Sequence, residues 1–183
     1  MARHYYQTMF TDSVRQAQER NGSGHLARQM EAQDMEDQRL GPAEQAFISQ
    51  CDSFYMSTVS SSGWPYVQHR GGPVGFLRPL DESTLAFADF RGNRQYISVG
   101  HLGADDRVAL FLMDYAERRR LKILAHAASY DAMEHPAWVA KVEDPTYRAR
   151  IERVIVLKVV AFDWNCPQHI TQRFTAAQWR QRS

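Results

Sequence analysis

The sequence is poor in features that would place it in several broad classes. Its two cysteines, Cys51 and Cys166, lie far apart with no CxxC spacing. A cysteine zinc site or redox pair is therefore not expected, and a reducing compartment is the simplest reading. No stretch approaches the about twenty apolar residues that a membrane span needs. The opening MARHYYQTMFTDSV has no apolar h-region, so neither export nor anchoring is expected and the location is read as cytoplasmic. On that reading the Asn21-Gly22-Ser23 sequon goes unused, because glycosylation needs the secretory route. An excess of one charge is missing too. With 22 Lys and Arg against 21 Asp and Glu, no global field draws in nucleic acid or an anionic membrane. The seven histidines include no HExxH, so no built-in metal site is expected.

What is present suits one ordinary soluble domain: 183 residues, 44% hydrophobic and 23% charged, enough to bury a core without disulfide or metal staples. Residues 1–41 are polar and rich in Gln, Glu and Arg, and read as an exposed helical arm. Pro42 suits a first helical turn and starts a helix that carries Phe47 and Ile48 toward the body. From Ser53 the pattern changes to runs rich in β formers. SFYMSTVS and PYVQHR are joined by SSG, and GFLRPL and TLAFADF by DES. A short helix is expected from Asn93 to about Leu102. RVALFLMD and RRLKILAHAASYDA follow as strands, then a helical insert from about Pro136 to Arg150, then VIVLKVVAFDW. Strands at regular spacing with few helices between them argue for an antiparallel barrel or sandwich, since a parallel sheet needs more crossover helices.

Five strings carry chemistry. Gly22-Ser23-Gly24-His25-Leu26-Ala27 has the letters of a dinucleotide fingerprint, but no hydrophobic strand precedes it, so it reads as a loop. In Gln68-His69-Arg70-Gly71-Gly72-Pro73 a strand ends in polar groups and two glycines. These glycines either let a planar ligand approach the backbone or serve only turn geometry. Asp89-Phe90-Arg91-Gly92-Asn93-Arg94 closes a strand and opens the expected helix. Paired guanidinium donors and free amides there suit a phosphate, the alternative being an exposed basic loop with Asn93 as a helix cap. Arg118-Arg119-Arg120-Leu121-Lys122 sends Arg120 and Lys122 to one strand face. Asp163-Trp164-Asn165-Cys166-Pro167-Gln168-His169-Ile170 adds an aromatic ring and hydrogen-bonding groups suited to a flavin or nucleobase edge.

Taken together, FYMSTVSSSGWPYVQHRGGPVGFL, TLAFADFRGNRQY, RVALFLMDYAERRRLKI and AFDWNCPQHI resemble the flavin-nucleotide-binding branch of the pyridoxamine 5′-phosphate oxidase-like family, over residues 42–175. The resemblance implies a mainly β fold with flanking helices: a six-stranded antiparallel Greek-key split β-barrel over residues 42–183 that binds FMN at a homodimer interface. It implies that Tyr66, Val67, Gln68, His69 and Arg70 run along the flavin and ribityl chain, and that Ala88 and Asp89 approach the ribityl-phosphate region. Asn93 and Arg94 would hold the phosphate, with Arg91 beside them. Arg120 would face the flavin, while Trp164, Gln168 and His169 reach the partner's. The function implied is an FMN-dependent oxidoreductase acting on a small-molecule redox substrate. A non-catalytic flavin-sensing module and a split barrel binding haem or deazaflavin are the alternatives. The oxidases' substrate-phosphate pocket and their carboxy-terminal RxH signature are not recognisable, so pyridoxamine phosphate oxidation does not follow.

Overall fold

In the computed structural model, which describes residues 3–32, 38–164 and 168–182, the β-rich runs become one antiparallel sheet. Its strands are β1 (Ser53–Val59), β2 (Pro65–Gly71), β3 (Arg78–Asp81), β4 (Thr84–Phe90), β5 (Arg107–Asp114), β6 (Arg119–Asp131) and β7 (Ile151–Trp164). The order across the sheet is β2-β1-β5-β6-β7-β4-β3. Each of the seven strand-like runs thus has a strand, one more than the six-stranded barrel that the resemblance implies. The edge strand β3 has only four residues, short because Phe76 and Leu77 turn into the core and Pro79 removes a ladder donor.

The sheet curls on itself. Neighbouring strands lie about 4.8 Å apart, so β1 and β4, four places apart in the order, would be roughly 19 Å apart in a flat sheet. Yet the Phe54 ring on β1 meets the Phe87 ring on β4 edge to face at 5.2 Å between centroids. Both belong to one core with Met56, Leu85, Leu110, Leu121, Ile123 and Ile155. The curl is driven by strand faces that are apolar on one side and have nowhere else to bury them.

Helices fill the gaps. α1 (Arg3–Met9), α2 (Asp12–Arg20) and α3 (Gly24–Ala32) precede the sheet, and α4 (Pro42–Ile48) enters it with Pro42 in its first turn and Phe47 and Ile48 buried, as expected. The arm is not simply exposed. Tyr5 and Tyr6 of α1 are buried against Ala161 on β7, and the Tyr6 hydroxyl donates to Asp163 Oδ1 at 3.1 Å. Of the GSGHLA string, expected as a loop, Gly22 and Ser23 lie between α2 and α3, while Gly24 to Ala27 open α3; no strand precedes it.

Two helix boundaries differ from expectation. α5 (Ile97–Leu102) begins four residues after Asn93, because Arg94 and Tyr96 adopt left-handed backbone, φ 62° and 53°, which a helix cannot include. α6 (Pro136–Val142) stops well before Arg150, since Pro145 keeps the residue before it out of helical geometry. α7 (Ala176–Arg182) closes the described chain. Among the described residues no helix is long and apolar enough to cross a membrane.

Candidate functional site

The curl that joins the core also joins side chains. Arg70 on β2 and Asp89 on β4 stand five places apart in the sheet order, yet their side chains form an ion pair of 2.6 Å, only 12% and 10% exposed. Along β2 the period of two turns Gln68 and Arg70 toward this seam and leaves Val67 and His69 outward and exposed. Gln68 Oε1 accepts from Ser98 of α5 at 2.9 Å, so α5 fixes the amide's orientation.

The seam opens into a cleft of about 180 Å³ lined by Gln68, Arg70, Asp89, Asn93, Arg94 and Glu152, among others. Four guanidinium groups surround it: Arg70 on Asp89, Arg153 at 3.7 Å from Asp89 and 3.4 Å from Glu152, Arg91 at 3.6 Å from Glu152, and Arg94 in the lining. Only two carboxylates answer them. Arg70 Nε is buried with no hydrogen-bond partner among the described residues, which is costly for a charged group unless a ligand supplies an acceptor. The loop from Gly92 to Tyr96 holds its shape through local bonds. Asn93 Oδ1 accepts the Gln95 amide at 3.2 Å. The Arg94 guanidinium is held further toward its charged form, first by a hydrogen bond with Tyr96 and more weakly by the charge of Glu152. Asn93 is thus a turn residue and no helix cap. Two non-glycine residues in left-handed backbone beside a cationic cleft form a conformation that surrounding contacts must sustain.

A second cleft, of about 410 Å³, lies elsewhere on the barrel, where Tyr55, Phe111, Met113 and Tyr115 meet Arg120, His169 and Arg173. Arg120 Nε is the other buried side-chain nitrogen with no partner among the described residues. His169 has left-handed backbone, φ 62°.

The expected site residues therefore separate into groups. Gln68, Arg70, Asp89, Asn93 and Arg94 meet in the first cleft, with Arg91 at its edge through Glu152. Arg120 and His169 meet in the second, with the exposed Gln168 next in sequence. Tyr66 packs edge to face on His101, 5.9 Å between centroids, and His69 does so on Tyr55. The Ala88 side chain points away, into a small core with Val142, Val154 and Val156 beneath α6. Trp164 lines neither cleft: it packs on Phe47, lies 4.6 Å from the Arg119 guanidinium and donates to Glu44 at 2.7 Å. Asn165, Cys166 and Pro167 of the same string lie outside the described residues. Of the two glycines after Arg70, Gly72 has a packing reason, since a Cβ there would come within 2.7 Å of the Phe76 ring.

Glu152, Arg153, Tyr96 and Ser98 were not singled out from sequence. The signal available for the first two was their place at the start of the last Val/Ile-rich strand. Nothing local says that this strand pairs with β4 and brings Arg153 opposite Asp89.

Residues 40–162 match the family model of pyridoxamine 5′-phosphate oxidase. The chain belongs to this family. Solved structures with the same fold include HupZ of Group A Streptococcus, 12% identical, TM-score 0.51, covering 73% of this chain and 99% of that one. Another is a protein of Lactobacillus delbrueckii assigned provisionally to pyridoxamine 5′-phosphate oxidase, 21% identical, TM-score 0.51, covering 70% of this chain and 97% of that one. At these identities the likeness is one of fold. No curated protein matches the chain. The family match ends at Phe162, so it takes in the first cleft and Arg120 but leaves out Trp164 and His169.

Proposed function

We propose that this chain is a cytoplasmic FMN-binding oxidoreductase that holds its flavin at a homodimer interface and acts on a small-molecule redox substrate. The observation that carries the reading is the first cleft. There a buried guanidinium nitrogen without a partner stands among four arginines that outnumber the neighbouring carboxylates. A dianionic phosphate would supply both the missing acceptor and the missing charge. Arg70, Asn93 and Arg94 would hold it, with Gln68 toward the ribityl chain and Arg91 at the rim.

A cleft of about 180 Å³ is smaller than pockets that enclose a whole cofactor, so the ring system would extend beyond it. The outward faces of β1 and β2 leave Tyr55 and Val67 exposed, with Trp64 in the turn between them and Val74 in the loop after them. Such a cluster supports a protein interface. Across a two-fold interface, Arg120 and His169 of one subunit would serve the flavin held by the other. Bound FMN would carry the electrons, while the protein supplies position, ring-edge hydrogen bonds and access. His69 and His169 are the candidates for moving a proton, as imidazoles able both to donate and to accept one. The arm, residues 1–41, would brace the barrel of residues 42–183 through Tyr5 and Tyr6.

The test is an absorption spectrum of purified protein, desalted after incubation with FMN, for the wild type and for the Asn93→Ala, Arg94→Ala double variant. Flavin bands kept by the wild type and lost by the variant are expected. A wild type that keeps none, or a variant that keeps as much, would overturn the assignment. Flavin-dependent oxidation of NADH or NADPH with common acceptors then separates an enzyme from a carrier.

A further inference from the structure

Glu152 owes its place in the first cleft to an irregularity of pairing. Along β4 and β7, Asp89 pairs with Arg153 and Phe90 with Ile151, so Glu152 is the extra residue of a β-bulge. Bulges re-aim side chains and recur beside functional sites. Regular alternation would put Glu152 on the face opposite to Arg153. Instead its carboxylate lines the cleft with Asp89, Asn93 and Arg94.

The two carboxylates of the cleft are held differently. Asp89 is committed, with Arg70 at 2.6 Å. Glu152, 17% exposed, is shared loosely: Arg153 Nη1 lies at 3.4 Å and Arg91 Nε at 3.6 Å, and the Tyr96 hydroxyl donates at 3.2 Å. Its charge also acts on Arg94. A negative group thus already sits among the guanidinium groups that a phosphate would use.

From this we infer that Glu152 is a built-in competitor for the anion site, which engages the guanidinium groups a phosphate would use and so lowers the cleft's affinity for anions, most of all for a dianionic phosphate monoester. Repulsion grows with the charge of the ligand, so a dianion is penalised more than a monoanion. The inference rests on the phosphate site proposed above and adds the residue that tunes its affinity. A like charge a few ångströms from a dianion at a solvent-edged site weakens binding by about ten-fold.

The test titrates FMN, riboflavin, inorganic phosphate and formate at pH 8 into the wild type, Glu152→Gln and Glu152→Asp. Flavin fluorescence reports the first two, and thermal shift the last two. Glutamine keeps an acceptor for Tyr96 while removing the charge; aspartate keeps the charge. Glu152→Gln is expected to bind FMN and phosphate about ten-fold more tightly and formate more tightly by a smaller factor, with riboflavin unchanged, while Glu152→Asp stays close to the wild type. Equal or weaker FMN and phosphate binding by Glu152→Gln would overturn the inference, making Glu152 a scaffold residue. A wild type that binds phosphate but no FMN would sink the flavin reading alone, and the phosphate series would still decide the role of Glu152. No phosphate binding by either protein would overturn it.

Discussion

Asp89 answers two guanidinium groups, Arg70 at 2.6 Å and Arg153 at 3.7 Å, from a side chain that is 10% exposed. Removing one partner of a buried pair leaves a charge with neither water nor counter-ion, which costs more than the pair contributes when intact. Asp89→Asn is expected to lower unfolding stability by about 3 kcal/mol in urea, a far larger effect than loss of the surface pair between Arg107 and Asp105. Cys51 is a second residue whose state follows from its surroundings. Burial first, then the nearby charges of Asp114 and Asp52, pushes its thiol from 9.0 up to about 11. The thiolate is the reactive form, so Cys51 in a Cys166→Ser background should resist a thiol reagent at pH 8 until denaturant is added. The folded value lies above the unfolded one. The thiol's contribution is therefore fully present below about pH 9 and is lost as pH rises through about 11, an effect on the order of 2 kcal/mol that Cys51→Ala should remove from the stability profile.

Among the elements, the strands were legible and the helix ends less so. TLAFADF and RVALFLMD became β4 and β5 with the expected bounds, because burial on one or both faces writes itself into spacing. GFLRPL was expected as a strand, yet only its last three residues fall in β3. Phe76 and Leu77 are buried as loop residues, and periodicity cannot tell that from a strand. α1 is the element whose role depended most on tertiary contact. Its sequence, RHYYQTM, shows two tyrosines in a polar arm, and nothing local says that Tyr6 reaches Asp163 across 157 positions. Tyr6→Phe should lower stability by about 1 kcal/mol, and Tyr6→Ala by about 3 kcal/mol through lost packing on Ala161 and Leu124. Equal losses in the two variants, read by denaturant unfolding, would mean that the hydroxyl and not the ring ties the arm down.

For the whole molecule, the outward face of β1 and β2 is the place where large apolar side chains stand exposed together. Val67 on that face is 60% exposed and Trp64, in the turn before β2, 76%, areas that a monomer leaves to water at a cost. If this face is the proposed two-fold interface, Val67→Arg should bring two like charges together near the axis. Sedimentation at micromolar concentration should then show a monomer where the wild type is a dimer, and FMN affinity should fall with it. A wild type that sediments as a monomer would remove the interface and leave the first cleft to bind FMN alone.

The sequence by itself determined the runs that become strands, the start of α4 at Pro42, and the cationic character of the string from Asp89 to Arg94. These are local matters of spacing, of backbone preference and of residue charge. Tertiary structure decided which of the candidate residues meet. Arg70 and Asp89 are 19 positions apart in the chain and five strands apart in the sheet, and only the curl of the sheet brings them to 2.6 Å. Tertiary packing closed α6 over Ala88 and tied Trp164 to α4. It also set Glu152 among the arginines through a bulge that depends on how β7 pairs with β4. A pairing partner is a property of the folded sheet, and no window of sequence contains it.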